Sequence, residues 1–289
     1  MQKSNWYCRW APSLGALESD ALSVWGTPPY EYRKHKHEPT VFFGLYDLRC
    51  YLALWRHKGR ACVLWAGSDI LNLKNGFVFN NGKLTLLSKL LRGNWWVFPI
   101  LKKAEHWVEN ETEKRALESL GVKVSGVCPS FLGDIDMDVP YHWSKTMNVY
   151  ASASGSRQEE YGFGVVERIA PALPWVRFHL YGAPWTTKRK NVVVHGRVPK
   201  EQMNAETAKM QVGLRLNSFD GFSEIMAKAV LRGQYAIGKV EHPFIPTYEN
   251  DLDLILELNK LRRKKIPNLK VRYFYRNILN DFPWNVKKY

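Results

Sequence analysis

Between Asp220 and Gly233 the chain reads Asp-Gly-Phe-Ser-Glu-Ile-Met-Ala-Lys-Ala-Val-Leu-Arg-Gly. An acid and a glycine stand where a strand would end, and a helix opens directly after them. Such a turn aims unpaired backbone N–H groups and the positive end of a helix dipole at one spot, where an anion is stabilised. Gly221 lets the backbone come close to a ligand, and Ser223 is a natural N-cap. The chemistry suggested is phosphate or diphosphate binding. An ordinary strand-to-helix connection in an α/β domain would use the same residues.

Metal chemistry has weaker support. Asp134, Asp136 and Asp138 give a D-x-D spacing, and carboxylate pairs suit Mg²⁺ or Mn²⁺. They fall in a polar, proline-bearing stretch (133–142) that reads as a solvated linker, so no metal site is expected. His35 and His37 lie in a basic knot without metal-ligand spacing. Cys8, Cys50, Cys62 and Cys128 are far apart and form no C-x-x-C pair, which argues against zinc, redox chemistry and a disulfide framework.

The elements that must position these groups alternate. Strands are expected at Asn5–Trp10, Thr40–Phe43, Ala61–Trp65, Trp95–Ile100 and Val122–Val127. Helices are expected at Leu17–Trp25, Asp47–His57 (with Gly59 as its stop) and Glu111–Leu120. Gly15 sits in a loop over 11–16, and Gly44 follows a buried strand. A second alternating run starts at Met147. Strands alternating with helices imply parallel sheets covered on both faces. Ligands then bind beyond the C-terminal strand ends. The expected division is a first lobe over 1–145, a second over 146–275 and a terminal helix over 276–289.

Several segments in this order resemble the family 4 glycosyltransferases of the GT-B fold. Their donor motif runs roughly E-G-F-G-x-x-x-x-E-A-x-x-x-G. Here Asp220, Gly221, Phe222, Ala229 and Gly233 fall in register, while Lys228 replaces the second glutamate. The strand-plus-glycine elements match Trp175–Gly182 and Asn191–Val198, which carry Gly182 and Gly196. Tyr161-Gly162 stands where the family usually has Lys-Gly, and Arg157 lies in the loop that carries its diphosphate-binding arginine. Arg suits bidentate phosphate contact. With Tyr161 in place of the lysine, the missing charge is sought at Arg215 or Lys228. Trp65-Ala66-Gly67-Ser68-Asp69 is similar to the first-lobe H-G-x-D element, with Ala66 at the histidine position.

The resemblance implies two Rossmann-like lobes with a cleft between them, a nucleoside diphosphate sugar as co-substrate, retention of anomeric configuration and no requirement for a metal. Ser68 and Asp69 become candidates to orient or deprotonate an acceptor hydroxyl, though Ser and Asp also cap helices. His106 lies before a helix, where the family has a cleft-lining segment; a structural histidine is the plainer reading. A scaffold kept for binding after its clamp decayed is the competing class.

The acceptor must be read from charge. The 289 residues carry a net charge of +15, concentrated from Lys260 onward, at Arg33–His37 and at Lys188–Lys190. This density favours a polyanionic partner. DNA with a hydroxylated base is the favoured acceptor, since phage DNA glucosyltransferases are basic GT-B enzymes. A lipid-linked or polysaccharide acceptor at an anionic membrane surface is the alternative. Tyr273, Phe274, Tyr275, Phe282 and Trp284 are interleaved in the basic tail and suit base stacking or a packed helix equally. No apolar run is long enough to span a bilayer, and the N-terminus has no apolar leader core, so a cytoplasmic protein is expected, phage-encoded or peripheral at a membrane. Oligomeric state is not legible.

Overall fold

The computed structural model describes residues 6–76 and 95–284. The chain divides into two compact units. The first comprises 1–134, Phe219–Gly221 and 279–289; the second comprises 135–218 and 222–278. Each holds one five-stranded parallel sheet.

In the first unit the strands are β1 (Tyr7–Trp10), β2 (Thr40–Phe43), β3 (Ala61–Leu64), β4 (Glu105–Val108) and β5 (Gly126–Val127), in the order β1-β2-β3-β4-β5. Between them lie α1 (Glu18–Trp25), α2 (Tyr32–His35), α3 (Leu48–Arg56), α4 (Ser68–Asn75), α5 (Phe98–Leu101) and α6 (Glu111–Glu118). Alternation sends Phe42, Val63, Trp65 and Val108 into one apolar layer. Val41, Phe43, Cys62 and Leu64 enter the other with Trp10 and Trp25. Asp47 caps α3 and Asn110 caps α6, each accepting a backbone N–H from three residues on. All four cysteines are buried free thiols.

The second unit orders its strands β10-β9-β6-β7-β8. These are β6 (Met147–Ser152), β7 (Val176–Tyr181), β8 (Val192–Gly196), β9 (Val212–Arg215) and β10 (Tyr235–Gly238). Its helices are α7 (Phe163–Ile169), α8 (Lys200–Thr207), α9 (Glu224–Leu231), α10 (Asp251–Leu261) and α11 (Leu269–Ile278). Val149, Phe178, Leu180, Val212 and Ile237 pack against Phe163, Val166 and Ile169 of α7 and Leu254 and Leu258 of α10. The reversal of strand order around β6 is the doubly wound arrangement that leaves strand ends available for ligands.

Two expectations are corrected. The apolar run Trp95–Ile100 is not a strand: Pro99 lacks an N–H and sits in the first turn of α5, where prolines are tolerated. The strand is Glu105–Val108, whose period-two burial was hidden because its inward residue is His106. The terminal helix does not begin at Arg276. It runs Leu269–Ile278 and stops before Asn280, which holds a left-handed conformation (φ 58°), while residues 279–284 are non-helical. Residues 285–289 lie outside the described part.

Candidate functional site

In the first unit the functional candidates gather where β2, β3 and β4 end. Asp69 is fully buried at the start of α4. Its Oδ2 accepts from Leu45 N (2.8 Å) and its Oδ1 from Ala66 N (3.1 Å) and Ile70 N (3.0 Å). Burial pushes its carboxyl up to about 6, and these N–H donors oppose the rise. Asp69 therefore ties the turns after β2 and β3 together. Ser68 is exposed and donates to Tyr46 Oη at 3.4 Å, while Tyr46 donates to Ala66 O at 3.1 Å. Gly44 has φ 75°, and a Cβ there would press on the Tyr46 ring; Gly15 has open space around it.

The segment Phe219–Gly221 belongs to this unit and meets the end of β4. Asn110 Nδ2 donates to Asp220 O at 2.8 Å. A Cβ on Gly221 would overlap Glu109 Oε2, and one on Gly67 (φ 82°) would come within 3.2 Å of Gly221 N and 3.3 Å of Glu113 Oε1. Thus the glycine of the Trp65–Asp69 segment and that of the Asp220–Gly221 segment lie against each other. Glu109 Oε1 in turn accepts from Ser130 N (3.1 Å) and from Ser130 Oγ. Fully buried Glu113 accepts from Glu109 N (2.8 Å), and its Oε1 has no hydrogen-bond partner. Burial first, then the neighbouring carboxylate of Glu109, holds Glu113 well above the usual carboxylate range, which favours its protonated form.

His106 lies inside β4 rather than before a helix. Trp65 Nε1 donates to its Nδ1 (3.2 Å), and its Nε2 stands 2.9 Å from Leu101 O. Burial lowers its pKa, so the ring is neutral with both nitrogens engaged. It braces the β3–β4 layer and has no nitrogen left for a substrate.

The second unit collects the remaining candidates along the C-terminal edge of its own sheet. After β6, Arg157 donates to Tyr161 Oη at 2.9 Å and lies over the Tyr161 ring at 5.1 Å. Arg215, the last residue of β9, lies over the same ring at 4.4 Å. Two guanidiniums therefore converge on the aromatic that stands at the expected lysine position, a cation–π arrangement. Gly162 holds φ 82° against the Leu216 side chain. After β7 and β8, Gly182 N donates to Gly196 O at 2.6 Å, and Gly182 (φ 86°) touches Ala153 O so closely that no Cβ fits. Only glycine permits that approach.

Ser223 caps α9, accepting from Met226 N at 3.4 Å. Phe222 is buried and stacks on Tyr275 with ring centroids 4.7 Å apart. Lys228 is directed elsewhere: its ammonium pairs with Glu224 (2.6 Å) and Asn204 Oδ1 (2.6 Å) and is mostly buried. Desolvation lowers its pKa. Asp136 pairs with Arg276. Among the described residues no group of three His, Cys, Asp or Glu side chains is placed to hold a metal ion.

Sequence reasoning overlooked Glu109, Asn110 and Glu113. A signal was present: an acid closing a strand, then Asn with Glu three residues later, the pattern of a capped helix start.

No family model and no curated protein matches the sequence. Solved structures do. TarM superposes with TM-score 0.56 at 13% identity, covering 85% of this chain and 52% of that one. HepE from Anabaena, in complex with UDP and glucose, gives 0.54 at 10% identity, covering 94% and 98%. Sucrose-phosphate synthase from Thermosynechococcus elongatus gives 0.57 at 10% identity, covering 85% and 70%. The chain spans about half the length of TarM and nearly all of HepE. It has the GT-B fold of these glycosyltransferases.

Proposed function

We propose that this chain is a nucleotide-sugar-dependent glycosyltransferase, acting with retention and without a resident metal ion. The observation that carries the reading is the convergence of Arg157 and Arg215 on Tyr161, on a sheet edge that also presents the Gly182–Gly196 turns. In the reaction the bond from the anomeric carbon to the diphosphate breaks and a bond to the acceptor oxygen forms. The hydroxyl proton passes to a carboxylate or to the departing diphosphate. The demand on the protein is to position the sugar and stabilise the charge growing on the leaving group. Arg157 and Arg215 are the cations assigned to that task, with the α9 N-terminus at Ser223 as a supporting dipole. Asp220 is assigned to sugar hydroxyls. Ser68 is assigned to the acceptor side, and Asp69 acts by positioning the turn that carries it.

The acceptor is a polyanion, and we favour DNA carrying a hydroxylated base. The motive is the +15 net charge, which favours binding along a phosphate backbone. The test supplies a panel of nucleotide sugars with hydroxymethylated duplex DNA in one tube and glycolipid-bearing anionic liposomes in another. Sugar transfer to the DNA is expected. Transfer only to the liposomes would move the acceptor to a membrane glycan, and transfer to neither, with no donor binding, would make the chain a binding module.

A further inference from the structure

The second unit carries a large open groove that the proposed transfer chemistry does not use. It has a volume of about 1490 Å³ and lies between the C-terminal end of α10, the connection to α11, β10 and the Phe244–Pro246 turn. Its floor is apolar, formed by Val230, Ala236, Ile245 and Val271. Its rim is cationic: the run Arg262-Arg263-Lys264-Lys265 is joined by Lys145, Lys260 and Lys270. The one carboxylate in the lining, Glu257, is paired with Lys260 at 2.5 Å. An excess this uneven leaves a strong positive potential over a concave surface.

Two aromatic side chains stand in this rim, each beneath an ammonium group. Lys265 Nζ lies 5.4 Å from the ring centroid of Trp143, and Lys270 Nζ lies 4.9 Å from that of Phe244. Phe244 is 54% exposed, and its backbone is left-handed at φ 61°. A bulky residue in that region is strained, and folding alone would favour glycine there. The ring packs edge-on against Phe274 (centroids 4.9 Å apart) and leaves about half of its surface to solvent, held there on a strained backbone. Cations along a groove, interleaved with exposed rings, suit a phosphodiester strand whose bases can stack. A bilayer is a poorer occupant, because a flat surface cannot reach the floor of a concave groove.

We infer that this groove docks the phosphodiester backbone of DNA, with Trp143 and Phe244 as stacking platforms for unpaired bases. The inference deepens the acceptor reading above and rests on it, but its deciding measurement, oligonucleotide binding, involves neither sugar nor hydroxylated base. Binding of the full chain to labelled single-stranded and duplex oligonucleotides of ordinary bases is followed by fluorescence anisotropy over a salt series. The variants are the triple charge reversal Arg263→Glu, Lys264→Glu, Lys265→Glu and, separately, Phe244→Gly. The second relieves the strained backbone, so its fold is retained while the ring is lost. The triple variant should bind at least 10-fold more weakly, with a salt slope about 3 shallower. Phe244→Gly should weaken single-stranded binding several-fold with a melting temperature equal to or above that of the parent. Donor hydrolysis should stay at the parental rate in both variants. Parental DNA affinity in both would overturn the inference. So would binding of the parent to phosphatidylglycerol–phosphatidylcholine vesicles but not to DNA. Failure of sugar transfer with DNA binding intact would strike the acceptor reading alone.

Discussion

The carboxylate of Glu109 occupies the space that a side chain at Gly221 would need. Glu109 is fixed from behind by Ser130, and the Asp220 carbonyl is held by Asn110. The Asp220–Gly221 pair is therefore seated on the end of β4 by complementary shape. Gly221→Ala should destabilise the protein by about 1–3 kcal/mol through overpacking and reduce donor turnover. Combining it with Glu109→Ala should restore part of that stability. Denaturant unfolding of both singles and the double measures the coupling; strictly additive losses would contradict the contact.

Protonation of Glu113 has a direction in pH. Its folded pKa is raised by burial and by Glu109, so its contribution is full below the unfolded value of about 4.5 and is lost as pH rises toward the folded one. Glu113→Gln keeps an oxygen for Glu109 N and cannot ionise. The variant should gain on the order of 1 kcal/mol over the parent at alkaline pH and little at pH 4. Melting curves from pH 4 to pH 9 test this. A constant difference across the range would mean that Glu113 stays charged.

The second unit has an opposite case. His179 lies between Asn148 Oδ1 (3.1 Å) and His195 Nε2 (2.9 Å), and Glu206 approaches His195 Nδ1 at 3.4 Å while accepting from Tyr181. Burial, then His195 and Arg177, push His179 down to about 4, with Glu206 opposing. The folded state therefore prefers the neutral ring. Stability from this group is full above about pH 6.5 and falls as pH drops from 6.5 toward 4. The loss should reach about 1–2 kcal/mol, reduced from the buried limit because the ring is partly solvated. His179→Gln should flatten the acid limb of a pH–stability curve; an unchanged limb would place the titration elsewhere.

Much of this was legible in the sequence because periodicity and turn chemistry are local. β2 came out residue for residue, and the alternation of strands and helices gave the parallel architecture. The glycines at 182 and 196 were placed at strand ends by the family resemblance, and both hold positive φ there (86° and 65°). Legibility failed where tertiary contacts decide. The seat of Gly221 on Glu109 joins residues far apart in sequence, and nothing local announces it. Lys228 read as a spare cation, yet its partners on α8 and α9 hold it. His106 read as a cleft-lining candidate before a helix, and its two buried partners, Trp65 Nε1 and Leu101 O, hold it inside a strand.

Donor recognition provides the most direct test. Release of nucleoside diphosphate from UDP- and GDP-sugars by the full chain, with and without EDTA, should proceed in both conditions. Nucleoside diphosphate should raise the melting temperature of the parent by mass action. Arg157→Ala and Arg215→Ala should each weaken that binding about 10- to 100-fold, the cost of a lost charge-assisted contact. No release from any nucleotide sugar and no thermal shift at millimolar nucleoside diphosphate would contradict the account.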